Sequence, residues 1–93
     1  GVLRFQGEAV PISPVEARVV DALMKHFGAV VSRRDLTEAV WPDEAPLRNA
    51  LDVHISRVRR RVAEVGLHIR TVRGRGYLMD APSDSGQQLA ANG

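Results

Sequence analysis

The chain has 93 residues, with 13 basic and 11 acidic side chains for a net charge of +2. That length suits one small domain with a modest core. Without cysteine there is no disulfide framework and no thiolate zinc site, and His26, His54 and His68 have no metal-ligand spacing. No apolar run approaches the roughly 20 residues that span a bilayer, and no secretory pattern opens the chain, so a cytoplasmic protein without a membrane partner is expected.

Charge is unevenly spread. Residues 1–47 hold five basic side chains against seven acidic ones. Residues 48–77 hold eight arginines against Asp52 and Glu64, a net +6, and residues 78–93 add only Asp80 and Asp84. Such a block is the electrostatic footprint of a nucleic-acid surface. A solvated helix face rich in arginine has the same composition.

In chain order, Val2–Phe5 and Ala9–Val10 flank Gln6-Gly7-Glu8 and predict a hairpin, which two strands alone would not stabilise. Ser13-Pro14-Val15-Glu16 predicts a helix start with a capping box. Val19, Val20, Leu23, Met24 and Phe27 give that helix its apolar face, and Gly28 ends it. Ala29-Val30-Val31 reads as an extended link. Ser32-Arg33-Arg34-Asp35 repeats the capping-box pattern before a short helix whose buried side is Leu36, Ala39, Val40 and Trp41, stopped by Pro42. A proline-rich, acidic loop follows. A third helix is predicted from Arg48 or Asn49 to about Val65, with Leu51, Ile55, Val58, Val62 and Val65 in one stripe and Gly66 at its end. Ile69–Arg73, the turn Gly74-Arg75-Gly76 and Tyr77–Met79 predict a second hairpin.

The expected fold is therefore α+β, mainly α: a winged helix-turn-helix over residues 1–80, with a three-helix core, an N-terminal β-hairpin and a C-terminal β-hairpin wing. Residues 81–93 have little to bury and are expected to form a disordered tail.

A helix that enters the major groove needs an apolar side for the core and a cationic side for the DNA. Arg57 and Arg60 project from the outward face of the third helix, and an arginine fork can take guanine O6 and N7 together. Val53, exposed nearby, suits a thymine methyl or is exposed by chance. His54 suits a phosphate, a base or flank packing. In the wing, Gly74 and Gly76 leave the backbone bare, and Arg73 and Arg75 carry charge to the tip, where a narrow minor groove attracts arginine. Thr71 and Tyr77 offer hydroxyls to phosphates. No nucleophile–base pair, phosphate-cradling loop or ligand cluster is evident, so no enzyme activity, cofactor or metal is expected. Glu8, Glu16, Asp35 and Glu38 read as turn, cap and surface residues.

Asp52-Val53-His54-Ile55-Ser56-Arg57-Val58-Arg59-Arg60, followed by Ile69–Tyr77, closely resembles the DNA-binding effector domain of bacterial OmpR/PhoB response regulators. Ile12–Glu16, Val30–Leu36 and Val40-Trp41 resemble that family's first two helices, so the likeness covers roughly residues 9–80. The resemblance implies base readout from the positions of Asn49, Ala50, Val53, His54 and Arg57. It implies phosphate contacts from Trp41, Asn49, Ser56, Thr71 and Tyr77, with Arg48, Arg59 and Arg60 as further anchors because Asn49 and Ser56 stand where basic residues are common. It implies wing contacts from Arg73 and its neighbours Gly74, Arg75 and Gly76. The loop Pro42-Asp43-Glu44-Ala45-Pro46-Leu47 would correspond to the family's RNA polymerase contact. The resemblance further implies direct-repeat DNA half-sites, a monomeric isolated domain and an upstream regulatory domain. It also implies a four-stranded N-terminal sheet, of which this chain has room for two strands, so the sequence reads as a fragment cut close to or inside the effector domain. Two alternatives stay open: the same domain fused to a non-receiver module, for example a tetrapyrrole-synthase-like one, and a winged helix that binds protein.

Overall fold

A computed structural model describes residues 1–82, and residues 83–93 of the expected tail lie outside the described residues. The order is β1 (Val2–Phe5), β2 (Glu8–Pro11), α1 (Pro14–Met24), β3 (Val30–Val31), α2 (Arg33–Val40), α3 (Ala50–Ala63), β4 (His68–Val72) and β5 (Gly76–Asp80).

The N-terminal hairpin turns at Gln6 and Gly7, both with positive φ, the two-residue geometry whose twist matches antiparallel strands. Leu3 and Val10 face each other across the ladder and are both buried. Burying that pair against the helices supplies the support that two isolated strands lack.

Both helix starts follow local cap chemistry. In α1 the Ser13 hydroxyl accepts from the Glu16 N–H while the Glu16 carboxylate accepts from the Ser13 N–H at 2.7 Å. In α2 only half of that exchange forms. Ser32 Oγ accepts from the Asp35 N–H, and the aspartate side chain is one methylene shorter than the glutamate that closes a capping box. Helix α1 stops at Met24, before Phe27, which sits in the following turn 46% exposed instead of extending the apolar face.

Helix α3 buries Leu51, Ile55, Val58 and Val62. Beyond it the Leu67 N–H donates to the Val62 carbonyl at 2.9 Å across Gly66, whose φ is +88°. That reversal carries Val65 and Leu67 into the core, and Leu67 is fully buried.

The segment expected to be a link is a strand. β3 pairs antiparallel with β5 through Val30↔Leu78 and Val31↔Tyr77, so the wing is part of a three-stranded sheet of order β3-β5-β4. Two residues are too few to show alternation, which hid this pairing from the sequence. Ala81, placed with the tail from composition, packs against the core.

Candidate nucleic-acid interface

The eight arginines of the basic block divide into two sets. Arg59 donates from Nε to the Ile69 carbonyl and from Nη2 to Thr71 Oγ1, both at 3.0 Å. Arg61 lies 3.6 Å from the Glu16 carboxylate, and Arg70 donates to Asp80 at 2.8 Å. The other five, Arg48, Arg57, Arg60, Arg73 and Arg75, are exposed, and their side chains make no hydrogen bond or ion pair among the described residues. Arg57 and Arg60 line an open groove of about 390 Å³ with Arg61 and Glu64 along α3. Arg73 and Arg75 flank Gly74 in the turn between β4 and β5.

At the start of α3, Asp52 is a hub. Arg33, from the first residue of α2, donates to Asp52 Oδ1 and, at 3.3 Å, to Oδ2. Its Nη1 also donates to the Tyr77 hydroxyl at 3.1 Å, and that hydroxyl donates to Asp52 Oδ1 at 2.7 Å. The Arg33 guanidinium and the Tyr77 hydroxyl hold the Asp52 carboxyl below its ordinary pKa against the opposing effect of desolvation. Burial, and then donation to Asp52, push the Tyr77 hydroxyl above its ordinary value. A carboxylate in a cationic block would repel DNA phosphates, and these two donors compensate it. Neither Arg33 nor Asp52 was singled out as a site residue from the sequence, because their partnership spans three elements.

Several expected contacts have other roles in the fold. Gly76 is buried at the start of β5, and a Cβ there would stand 2.1 Å from the Val31 carbonyl oxygen. Its bareness serves the close approach of β5 to β3, and it is not part of the exposed tip. Gly74, at φ +72°, is the open turn residue. The Tyr77 ring is buried and its hydroxyl proton is committed to Asp52. Arg59 is half-buried and turned toward β4. Thr71 is exposed and accepts from Arg59, which leaves its own proton to donate.

The remaining candidates cluster at the N-terminal half of α3. Asn49 caps the helix without a side-chain cap bond, so its amide is free. Val53 is 39% exposed, and Ser56 is exposed on the same helix. His54 is half-buried, its ring centroid 5.7 Å from that of Trp41 with the planes tilted by 50°, and its Nδ1 is buried without a hydrogen-bond partner among the described residues. Trp41 is half-buried against the core at the end of α2. Ala50 is half-buried, and in the loop before it Leu47 is 81% exposed. Glu16 closes the capping box as expected and is also the buried charged side chain among the described residues. Burial opposes its ionisation, yet the Ser13 N–H and the Arg61 charge bring its carboxyl below the ordinary pKa.

Three helices, two small antiparallel sheets and a hairpin tip beside an arginine-bearing third helix define a winged helix. Residues 7–79 match the family model described as transcriptional regulatory protein, C terminal, and the chain belongs to that family, the OmpR/PhoB-type C-terminal domains of response regulators. It is 37% identical over 83 residues to the transcriptional regulatory protein CpxR of Klebsiella pneumoniae, covering 85% of this chain and 36% of that protein. It is 34% identical over 84 residues to YxdJ of Bacillus subtilis, covering 87% and 37%. The chain thus spans little more than a third of the length of these relatives. Among solved structures, the C-terminal domain of the nisin resistance regulator NsrR is similar with a TM-score of 0.75 at 36% identity, covering 89% of this chain and 88% of that one. The DNA-binding domain of Klebsiella pneumoniae RstA, solved in complex with the RstA box, is similar with a TM-score of 0.72 at 26% identity, covering 87% and 84%. Among the described residues no helix is long and apolar enough to cross a membrane.

Proposed function

We propose that this domain binds double-stranded DNA for transcriptional regulation, with the N-terminal half of α3 in the major groove and the β4–β5 turn on the backbone or minor groove. The observation that carries this reading is the set of five exposed arginines without partners among the described residues, two on the outer face of α3, two at the wing tip and one in the loop ahead of α3. Arg57, with Asn49, Ala50, Val53 and His54 around it, reads bases. Arg48, Ser56, Arg60, Thr71 and Trp41 hold phosphates, and Arg73 and Arg75 hold the wing to the duplex. Bidentate arginine contacts discriminate among bases, while phosphate contacts set position and most of the salt dependence.

Four cation–phosphate contacts, from Arg48, Arg60, Arg73 and Arg75, give a log–log salt slope of about −3.6 at −0.9 per contact. Titrating a duplex selected from a random-sequence library, between low and high salt, measures it. An affinity indifferent to salt overturns the DNA reading and favours a protein-binding winged helix.

The rest of the protein is read from the relatives, two of which carry the words response regulator in their names. We read the chain as part of a longer, cytoplasmic protein with an upstream regulatory domain and direct-repeat half-sites, and the exposed Leu47 beside Asp43 and Glu44 supports a polymerase-facing loop at 42–47. A pull-down of RNA polymerase that survives Leu47→Ser would remove the loop from that reading.

A further inference from the structure

Helix α3 and the wing strands are separate in sequence, yet one DNA duplex must meet both at once. Their relative angle therefore decides whether Arg57 and Arg73 engage together. Two side chains cross the seam between them. Near the helix start, Asp52 joins β5 through the Tyr77 hydroxyl, and Arg33 ties the same carboxylate to α2. Further along the helix, Arg59 reaches β4 with one edge of its guanidinium, Nε to the Ile69 carbonyl and Nη2 to Thr71 Oγ1. The Ile69 side chain is buried in the core, which anchors the strand at that point, and Thr71 lies two residues before Arg73 on the way to the tip.

We propose that Arg59 is a positioning residue that locks the recognition helix to the wing before DNA arrives, with Asp52 as the companion lock near the helix start. This rests on the DNA reading above and assigns Arg59 a role other than phosphate contact. A planar guanidinium can hold a carbonyl and a hydroxyl in one fixed fork, whereas an ammonium is a point charge on a flexible stem. The arrangement separates geometry from charge. Lysine at position 59 keeps the charge that a phosphate needs and loses the fork that the wing needs.

The direct observation is made on the wild-type domain by NMR. The Arg59 Nε–H should exchange slowly with water and show a through-hydrogen-bond coupling to the Ile69 carbonyl carbon, free and DNA-bound alike. Arg57 Nε–H should show neither in the free domain. Binding to the library-selected duplex is then compared for Arg59→Lys and Arg59→Gln, each checked by its melting curve. Both should weaken affinity by a similar factor, about tenfold, because both lose the fork although only lysine keeps the charge. Near-wild-type binding by Arg59→Lys, with Arg59→Gln losing about 0.9 of the salt slope, would make Arg59 a phosphate contact and overturn the proposal. Absence of the coupling in the free domain overturns it without any variant. Failure of the wild-type domain to bind any duplex sinks the DNA reading instead, and the NMR result still decides whether the lock exists.

Discussion

The seam between α3 and the wing and the outer surface beside it are built from the same residue type, and they use it in opposite ways. Arg57 and Arg59 stand two positions apart on one helix. Arg57 is exposed without a partner among the described residues, while Arg59 is spent on a strand carbonyl and a threonine hydroxyl. Two residues along an α-helix is a rotation of about 200°, enough to move a side chain from one neighbour to another. A basic segment is thus no measure of a DNA surface by itself. Three of the eight arginines between residues 48 and 77 are used internally, and of the five that remain, four set the expected salt slope while Arg57 reads bases.

The largest expected effect lies on the buried side of the wing, at Gly76. Alanine there places a methyl against the Val31 carbonyl and demands a φ of +146° from a residue with a Cβ. The expected loss is about 3 kcal/mol, or a fall in melting temperature of roughly 12–24 °C for a domain of this size. Gly74→Ala, with nothing within 4 Å, should cost less because only its positive φ is strained. Equal losses from the two would mean that the approach of β5 to β3 is not what Gly76 serves.

On the outer surface, Arg57→Ala should leave the melting temperature unchanged. It should reduce discrimination between selected and scrambled duplexes by roughly 1–3 kcal/mol. A uniform loss on both duplexes would demote Arg57 to a phosphate contact.

A smaller effect separates the wing tip from the helix. Arg73→Ala should weaken binding to all duplexes and make the salt slope shallower by about 0.9. An unchanged slope would remove the tip from the interface.

The smallest expected effect is acid sensitivity, confined to the internal side. Asp52 and Glu16 both have folded pKa values below their ordinary ones of 3.8 and 4.5. The unfolded chain then binds more protons than the folded one across that range. The stability they contribute is present above their ordinary pKa values and is lost as pH falls through the lower, folded ones. Melting curves from pH 6 to pH 3 should show this decline, and Asp52→Asn should flatten part of it. A decline as steep in Asp52→Asn as in the wild-type domain would place the titration elsewhere.

Much of the fold is legible locally. The capping box of α1, the buried α3 stripe and the first hairpin's glycine turn depend on residues within a few positions of one another and stand as read. The wing turn lies at Arg73-Gly74-Arg75, one residue earlier than read, because Gly76 pairs within β5. The exceptions have long-range causes. Phe27 sits at helical spacing but beyond the helix, because the chain turns to bring the Gly28 N–H to the Met79 carbonyl. Val30-Val31 becomes a strand only because β5 lies beside it. Glu16 reads as a cap residue, and its burial and its approach to Arg61, 45 residues away and 3.6 Å from its carboxylate, arise only in the fold.

The sequence by itself determined the class of domain, the helix that carries the cationic face and the hairpin that forms the wing, since periodicity, caps and turn residues act over one or two helical turns. Only the tertiary structure decided which arginines are free and which are consumed, that Gly76 is a packing residue, and that Asp52, Arg33 and Tyr77 form one network. A charged side chain takes whichever partner the fold brings within about 3 Å, and that choice is made across the chain and not along it.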